Sequence, residues 1–237
     1  FSAVAPLCAN APAITLNTGA PAGGIYAGPG VSNGSFDPAL ASVGQNALTY
    51  SYTNACGTDV ANRSVEVLPL PTVTMSAIAP ICESANVLTL NQGSPNGGTY
   101  SGVGVSAGSF DPSVAGVGTY TITYTYSDNN GCENTATANV EVKPLPTVTL
   151  NLQSNICVNA SPLTLAGGAP SGGTYSGTGV AAGIFNPGTA GVGDHVITYS
   201  FIDAFGCDGT SSDTITVDPL PNTALAAFTP VCASATP

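Results

Sequence analysis

Six cysteines fall into three pairs of one spacing, and that periodicity constrains the fold more than any local motif does. Cys8 and Cys56, Cys82 and Cys132, and Cys157 and Cys207 stand 48 to 50 residues apart, and the pairs recur every 74 to 76 residues. The register holds between the cysteines as well. Tyr26, Tyr100 and Tyr175 each follow a Gly-Gly, and Phe36, Phe110 and Phe185 each precede Asp-Pro or Asn-Pro. Self-similarity at a fixed period marks an array of one repeated unit, and what the copies share bounds what each can do.

The edges of the sequence fall inside the pattern. Phe1 to Cys8 aligns with Met75 to Cys82 and with Leu225 to Cys232. The expected division is a first repeat over 1–70, truncated at its N-terminus, a second over 71–145, a third over 146–220, and the start of a fourth over 221–237. Cys232 then occupies a first-cysteine position whose partner is expected beyond the chain.

Composition narrows the class. The chain is 43% hydrophobic and only 6% charged, with 29 Gly, 19 Pro, no Trp and a net charge of −11. That apolar fraction exceeds what a disordered linker carries, and no run approaches the roughly 20 apolar residues that cross a bilayer as a helix. Arg63 and Lys143 are the only cations, so no basic patch exists for phosphate backbones or anionic lipid. Nucleic acid and membrane insertion are therefore not expected.

A unit of about 75 residues buries only about 60% of its unfolded surface and gains from a staple. The nearest arrangement links the cysteines within each repeat: Cys8–Cys56, Cys82–Cys132 and Cys157–Cys207. Each bridge would close a loop of about 50 residues, worth roughly 4 kcal/mol in the chain-entropy model. Such bonds persist in oxidising surroundings, which predicts an extracellular, cell-surface location. Zinc is a poor alternative, because there is no Cys-x-x-Cys and one histidine in the whole chain.

The local signal has period two. Tyr120, Ile122, Tyr124 and Tyr126 alternate with threonines, and Val140 and Val142 follow in a second strand. Asp128 to Gly131 forms a turn between them, so the pair reads as a hairpin with the second cysteine at its tip. The other copies repeat this, although the first has Cys56-Gly57 where the others have Gly-Cys. Shorter strands lie upstream, and no helical period is visible. The predicted fold is all-β, a tandem array of small antiparallel immunoglobulin-like sandwiches, each with one disulfide. Leu-Pro-Leu-Pro, Lys-Pro-Leu-Pro and Asp-Pro-Leu-Pro join the units, and Pro69, Pro71, Pro144, Pro146, Pro219 and Pro221 should make these joints short and stiff. At about 3.3 Å per strand residue, each unit should add roughly 35 to 40 Å.

The stretch GGTYSGTGVAAGIFNPGTAGVG (172–193), followed by a Tyr-rich strand, a Gly-Cys turn and a Val-x-Val-x-Pro-Leu-Pro ending, resembles the immunoglobulin-like repeats of very large Bacteroidota surface proteins. Those repeats accompany gliding-motility and adhesin-type proteins exported by type IX secretion. The resemblance implies a surface-exposed stalk and no chemistry. It also implies O-glycosylation at Thr214, within Asp213-Thr214-Ile215.

Candidate chemistry is sparse. His195 aligns with Asn46 and Tyr120, so the copies share no imidazole, and Asp194 should face away from it. The Gly28, Gly30 and Gly34 run has the wrong spacing for a nucleotide fingerprint and reads as a tight hairpin. Asp37, Asp111 and Asn186, with Asn54, Asp128 and Asp203, are candidates for calcium, but Asp and Asn at turns more often cap backbone amides. Lysine is absent from the first and third copies, which excludes Lys-Asn isopeptide bonds there. Tyr26, Tyr100 and Tyr175 are the candidate glycan contacts. The expected function is a non-enzymatic, cofactor-free structural repeat: a stiff spacer in a long extracellular adhesin or fibre. Its expected partners are neighbouring repeats, with identical chains in a filament or surface glycans as alternatives.

Overall fold

A computed structural model describes residues 2–223 of the chain. Cys232 and nearly all of 221–237 lie outside the described residues. The chain divides into two compact units, Phe1–Val142 and Lys143–Pro237. The first unit holds two β-sandwiches and the second holds one, each around its own apolar cluster.

A long antiparallel hairpin dominates each sandwich: Gly44–Asn54 with Gly57–Leu68, Gly118–Ser127 with Glu133–Lys143, and Gly193–Ile202 with Asp208–Asp218. The period-two pattern decides which face is buried. Ile122, Tyr124, Val140 and Val142 are buried and their threonine neighbours are not. In the second sandwich the hairpin is flanked by Thr99–Ser101 on one side and Ile81–Cys82 on the other. Leu88–Thr89, Ser109–Phe110 and Val105–Ser106 form a three-stranded sheet, and Thr74–Met75 pairs with Gly93–Ser94. This is the division into C-F-G and A-B-E-D strands of an immunoglobulin-type sandwich. The first and third sandwiches repeat both larger sheets. Between the sheets lie Phe36, Phe110 and Phe185, each wholly buried.

The edge strand that carries the first cysteine runs parallel to the end of the last strand. Cys8 lies opposite Leu68, and Cys157 lies opposite Asp218. This places the first cysteine at the exit end of its sandwich, next to the proline linker.

The expectation of no helix needs one amendment. Pro38–Leu40 is a turn of 3-10 helix, and Pro112–Ala115 and Pro187–Ala190 are single α-turns. One turn is too short to show a 3.6-residue period. It forms because Asp37, Asp111 or Asn186 caps the N-terminus and proline sits at the first helical position, where its missing N–H costs nothing. The glycine run is a tight hairpin, as its spacing predicts. Asn33-Gly34, Ala107-Gly108 and Ala182-Gly183 all have positive φ at both turn residues, the geometry of a two-residue primed turn.

Candidate functional site: the junction between consecutive sandwiches

The hairpin-tip cysteine does not reach the first cysteine of its own repeat. Gly57–Leu68 is a 12-residue strand with Cys56 just before its start and Cys8 beside its end. At about 3.3 Å per residue the two lie roughly 35 Å apart, whereas a disulfide needs Cα atoms within about 7 Å. The bridge that forms is Cys8–Cys132, with a Cα–Cα distance of 5.4 Å and a sequence separation of 124. It joins the exit end of the first sandwich to the hairpin tip of the second.

All three expected pairings are therefore corrected. Cys8–Cys56 and Cys82–Cys132 are ruled out because Cys8 and Cys132 bond each other. Cys157–Cys207 is ruled out because Cys207 is in a disulfide while Cys157 is a free, exposed thiol. Cys82 is also disulfide-bonded, and Cys56 is free and exposed. The physical cause is the same in each copy: an uninterrupted strand of about 11 residues holds the two cysteines at opposite ends.

Polar contacts reinforce the junction. Asn10 Nδ2 donates to the Glu133 carbonyl at 3.0 Å, and Asn134 Nδ2 donates to the Pro71 carbonyl at 3.0 Å. The second hairpin tip thus closes on the linker that enters its own sandwich. The second unit has the equivalent closure. A Cβ on Gly209, the counterpart of Asn134, would stand 2.7 Å from the Pro146 carbonyl oxygen. Lys143 Nζ lies 4.2 Å over the Phe205 ring at the third hairpin tip. Pro69, Pro71, Pro144 and Pro146 all lie between strands, in segments without assigned secondary structure, and Pro219 and Pro221 follow the last described strand in the same way.

The tips themselves are shaped by acidic and amide side chains. Asp128 Oδ1 accepts from the Asn130 and Cys132 amides, each at 2.9 Å, and Asp203 Oδ1 accepts from the Phe205 and Cys207 amides at 2.8 and 2.9 Å. Asn54 Oδ1 accepts from the Cys56 amide at 2.8 Å across a shorter two-residue tip. These contacts present the cysteine at a fixed position. Asp111 caps its helical turn, and the Ser113 hydroxyl donates to Oδ1 at 2.7 Å. That bond chiefly holds the carboxyl below its ordinary value; desolvation works against it, and the Ser113 and Val114 amides add to it. Each candidate calcium ligand thus spends oxygen lone pairs on the backbone. Among the described residues there is no cluster of three or more His, Cys, Asp or Glu side chains.

The glycan candidates Tyr26, Tyr100 and Tyr175 are half-buried. Their rings pack at 4.6 to 4.7 Å on Tyr50, Tyr124 and Tyr199. Their hydroxyls accept from the Gly19, Gly93 and Gly168 amides. The second tyrosine of each pair is buried, and sequence reasoning placed it only as core. Tyr124 Oη accepts from the Gly98 amide at 2.7 Å and donates to the Pro95 carbonyl. This accounts for the Gly-Gly: a Cβ on Gly98 would stand 2.3 Å from the Thr125 carbonyl oxygen and 2.5 Å from the Tyr124 ring. His195 Nε2 bonds the Gly191 carbonyl at 2.8 Å, Tyr120 Oη donates to Ala115, and Asn46 Nδ2 donates to Ser42. Three different side chains therefore hold one turn, and His195 is part of that scaffold. Thr214 is exposed, and neighbouring Asp213 Oδ2 accepts from the Leu152 amide at 2.8 Å.

No protein-family model and no curated protein matches the sequence. Among solved structures the chain is similar to a Ca2+-stabilised adhesin that helps an Antarctic bacterium reach out and bind ice, with 17% identity, coverage of 80% of this chain and a TM-score of 0.36. The chain spans 62% of the length of that adhesin chain. It is also similar to the I67–I69 I-band fragment of titin, at 14% identity over 92% of this chain and 96% of that one, with a TM-score of 0.32. A third similarity is to a SusE-like, surface-located polysaccharide-binding protein of Bacteroides thetaiotaomicron, at 9% identity over 74% and 43% of the chains, with a TM-score of 0.31. No helix among the described residues is long and apolar enough to cross a membrane.

Proposed function

We propose that this chain is a non-catalytic, load-bearing stretch of an extracellular surface adhesin or fibre, in which consecutive sandwiches are clamped end to end. The observation that carries this reading is the Cys8–Cys132 bridge, which spans the Pro69–Pro71 linker and not the interior of one sandwich. A covalent bond across a joint adds little to the packing of either partner, but it restricts the swing and twist that a linker of a few residues would otherwise permit. Its chemistry requires an oxidising compartment, which supports an extracellular location. On this reading the repeats are 1–70, 71–145 and 146–220, with a fourth opening at 221–237. The sequence resemblance to Bacteroidota repeats supports type IX export to a cell surface.

The test is small-angle X-ray scattering on the oxidised chain and on the chain after mild reduction. The oxidised form should show a narrow distance distribution for the two clamped sandwiches of Phe1–Val142. Reduction should broaden the distance distribution while circular dichroism stays unchanged. An identical distribution before and after reduction would remove the clamp from the account.

A further inference from the structure

The Cys8–Cys132 bridge closes a loop that holds nearly all of two sandwiches. Residues 9–131 lie inside it, which takes in every strand of the first sandwich except Leu7–Cys8 and every strand of the second except Glu133–Lys143. Two covalent routes therefore connect Cys8 to Cys132. One is the folded chain, with a sequence separation of 124; the other is the S–S bond, across a Cα–Cα distance of 5.4 Å. Tension applied across the pair runs along the shorter route, because the longer one is not stretched until the shorter breaks.

The route on either side of the bridge has little length to give. Cys132 leads directly into Glu133–Lys143, an 11-residue strand that ends at the proline linker. A strand already rises about 3.3 Å per residue against a fully extended limit of about 3.6 Å, so pulling on its two ends barely lengthens it. The pull at one end balances the pull at the other, and the cross-strand pairing with Gly118–Ser127 carries none of it. Upstream, Leu7–Cys8 is a two-residue strand that brings the chain straight to the bridge.

We propose that the bridge is a tension bypass: a pull that enters ahead of Cys8 crosses the two sulfurs into Glu133–Lys143, and the sandwiches enclosed by the loop stay unloaded. The pair is then inextensible while oxidised and extensible once reduced, so its length under force is under redox control. Reduction by a dithiol moves two electrons and two protons onto the bridge, which leaves Cys8 and Cys132 as thiols and the reagent as a cyclic disulfide. The proposal rests on the reading of this chain as one that carries force, and it adds which atoms carry it.

The experiment is single-molecule force spectroscopy on the full chain, pulled through azide-bearing residues in place of the exposed Ala3 and Leu145. In the oxidised parent only about 18 residues lie on the route between these handles, so extension should stop at about 70 Å. The Cys8→Ser, Cys132→Ser variant puts the whole intervening chain on the route and should reach about 500 Å at the same force. A second measurement does not depend on how that variant folds: dithiothreitol added to the oxidised parent at constant force should lengthen the tether about sevenfold. Lengthening of the oxidised parent past about 70 Å before reductant is added would overturn the proposal, as would a length that reductant leaves unchanged. Scattering reads the joint without force, so a bridge that stiffens the joint but does not limit extension would pass that test and fail this one.

Discussion

Replacing both Cys8 and Cys132 by serine removes the junction bridge without leaving a stray thiol. The bridge closes a chain segment of 124 residues. In the loop-entropy model that closure removes about 16 cal/mol/K from the unfolded ensemble, or about 5 kcal/mol at 25 °C. Typical single domains have about 5 to 15 kcal/mol in all, so the loss is large. It should fall on the concerted unfolding of the first two sandwiches, because the constraint is released only when the segments between the two cysteines disorder. Peptide-resolved hydrogen exchange is the suitable assay. Protection should drop in both Gly57–Leu68 and Gly118–Ser127 and stay unchanged in Gly193–Ile202. Thiol labelling of the single Cys8→Ser variant after denaturation should reveal one new thiol, at Cys132. If Cys8→Ser weakened the first sandwich alone, or if Cys8 were found bridged to Cys56 in the parent chain, the strand-length reasoning would be refuted.

Other perturbations test the scaffold. Gly98→Ala forces a Cβ to within 2.5 Å of backbone and the buried Tyr124 ring, so it should cost at least about 2 kcal/mol in urea denaturation, against near neutrality for Ala at an open surface site. Tyr124→Phe strips the Gly98 amide and the Pro95 carbonyl of their shared partner and should cost about 1 to 3 kcal/mol, with the second sandwich losing exchange protection first. Asp111 has a carboxyl pKa lowered in the folded state, so its contribution is complete above the unfolded value of about 3.9 and is lost as pH falls through the folded value. Asp111→Asn keeps the cap, as Asn186 does naturally, but cannot titrate. Thermal unfolding between pH 4 and 2 should therefore show a shallower acid decline for the variant, and equal slopes would contradict the linkage.

Much of the fold is visible in the chain itself. The long hairpins are written as alternation around Ile122, Tyr124, Val140 and Val142, because a strand's side chains change face at every residue. The Asp-Pro corners announce a cap but not the helical turn behind it, since a single turn leaves no period to detect. Tyr26, Tyr100 and Tyr175 could be read as exposed rings from their glycine-rich setting. Their packing on a second tyrosine depends on which strands lie side by side.

The repeat, its apolar faces and the hairpin-tip position of the second cysteine can all be read along the chain, because they are local or periodic properties. How the cysteines combine depends on the packing of one sandwich against the next. Spacing along the chain favoured the nearer partner, about 50 residues away. The parallel edge strand carries Cys8 to the far end of its own sandwich and brings it to Cys132. Rigid strands convert a short contour distance into a long spatial one, and the linker turns a long contour distance into contact.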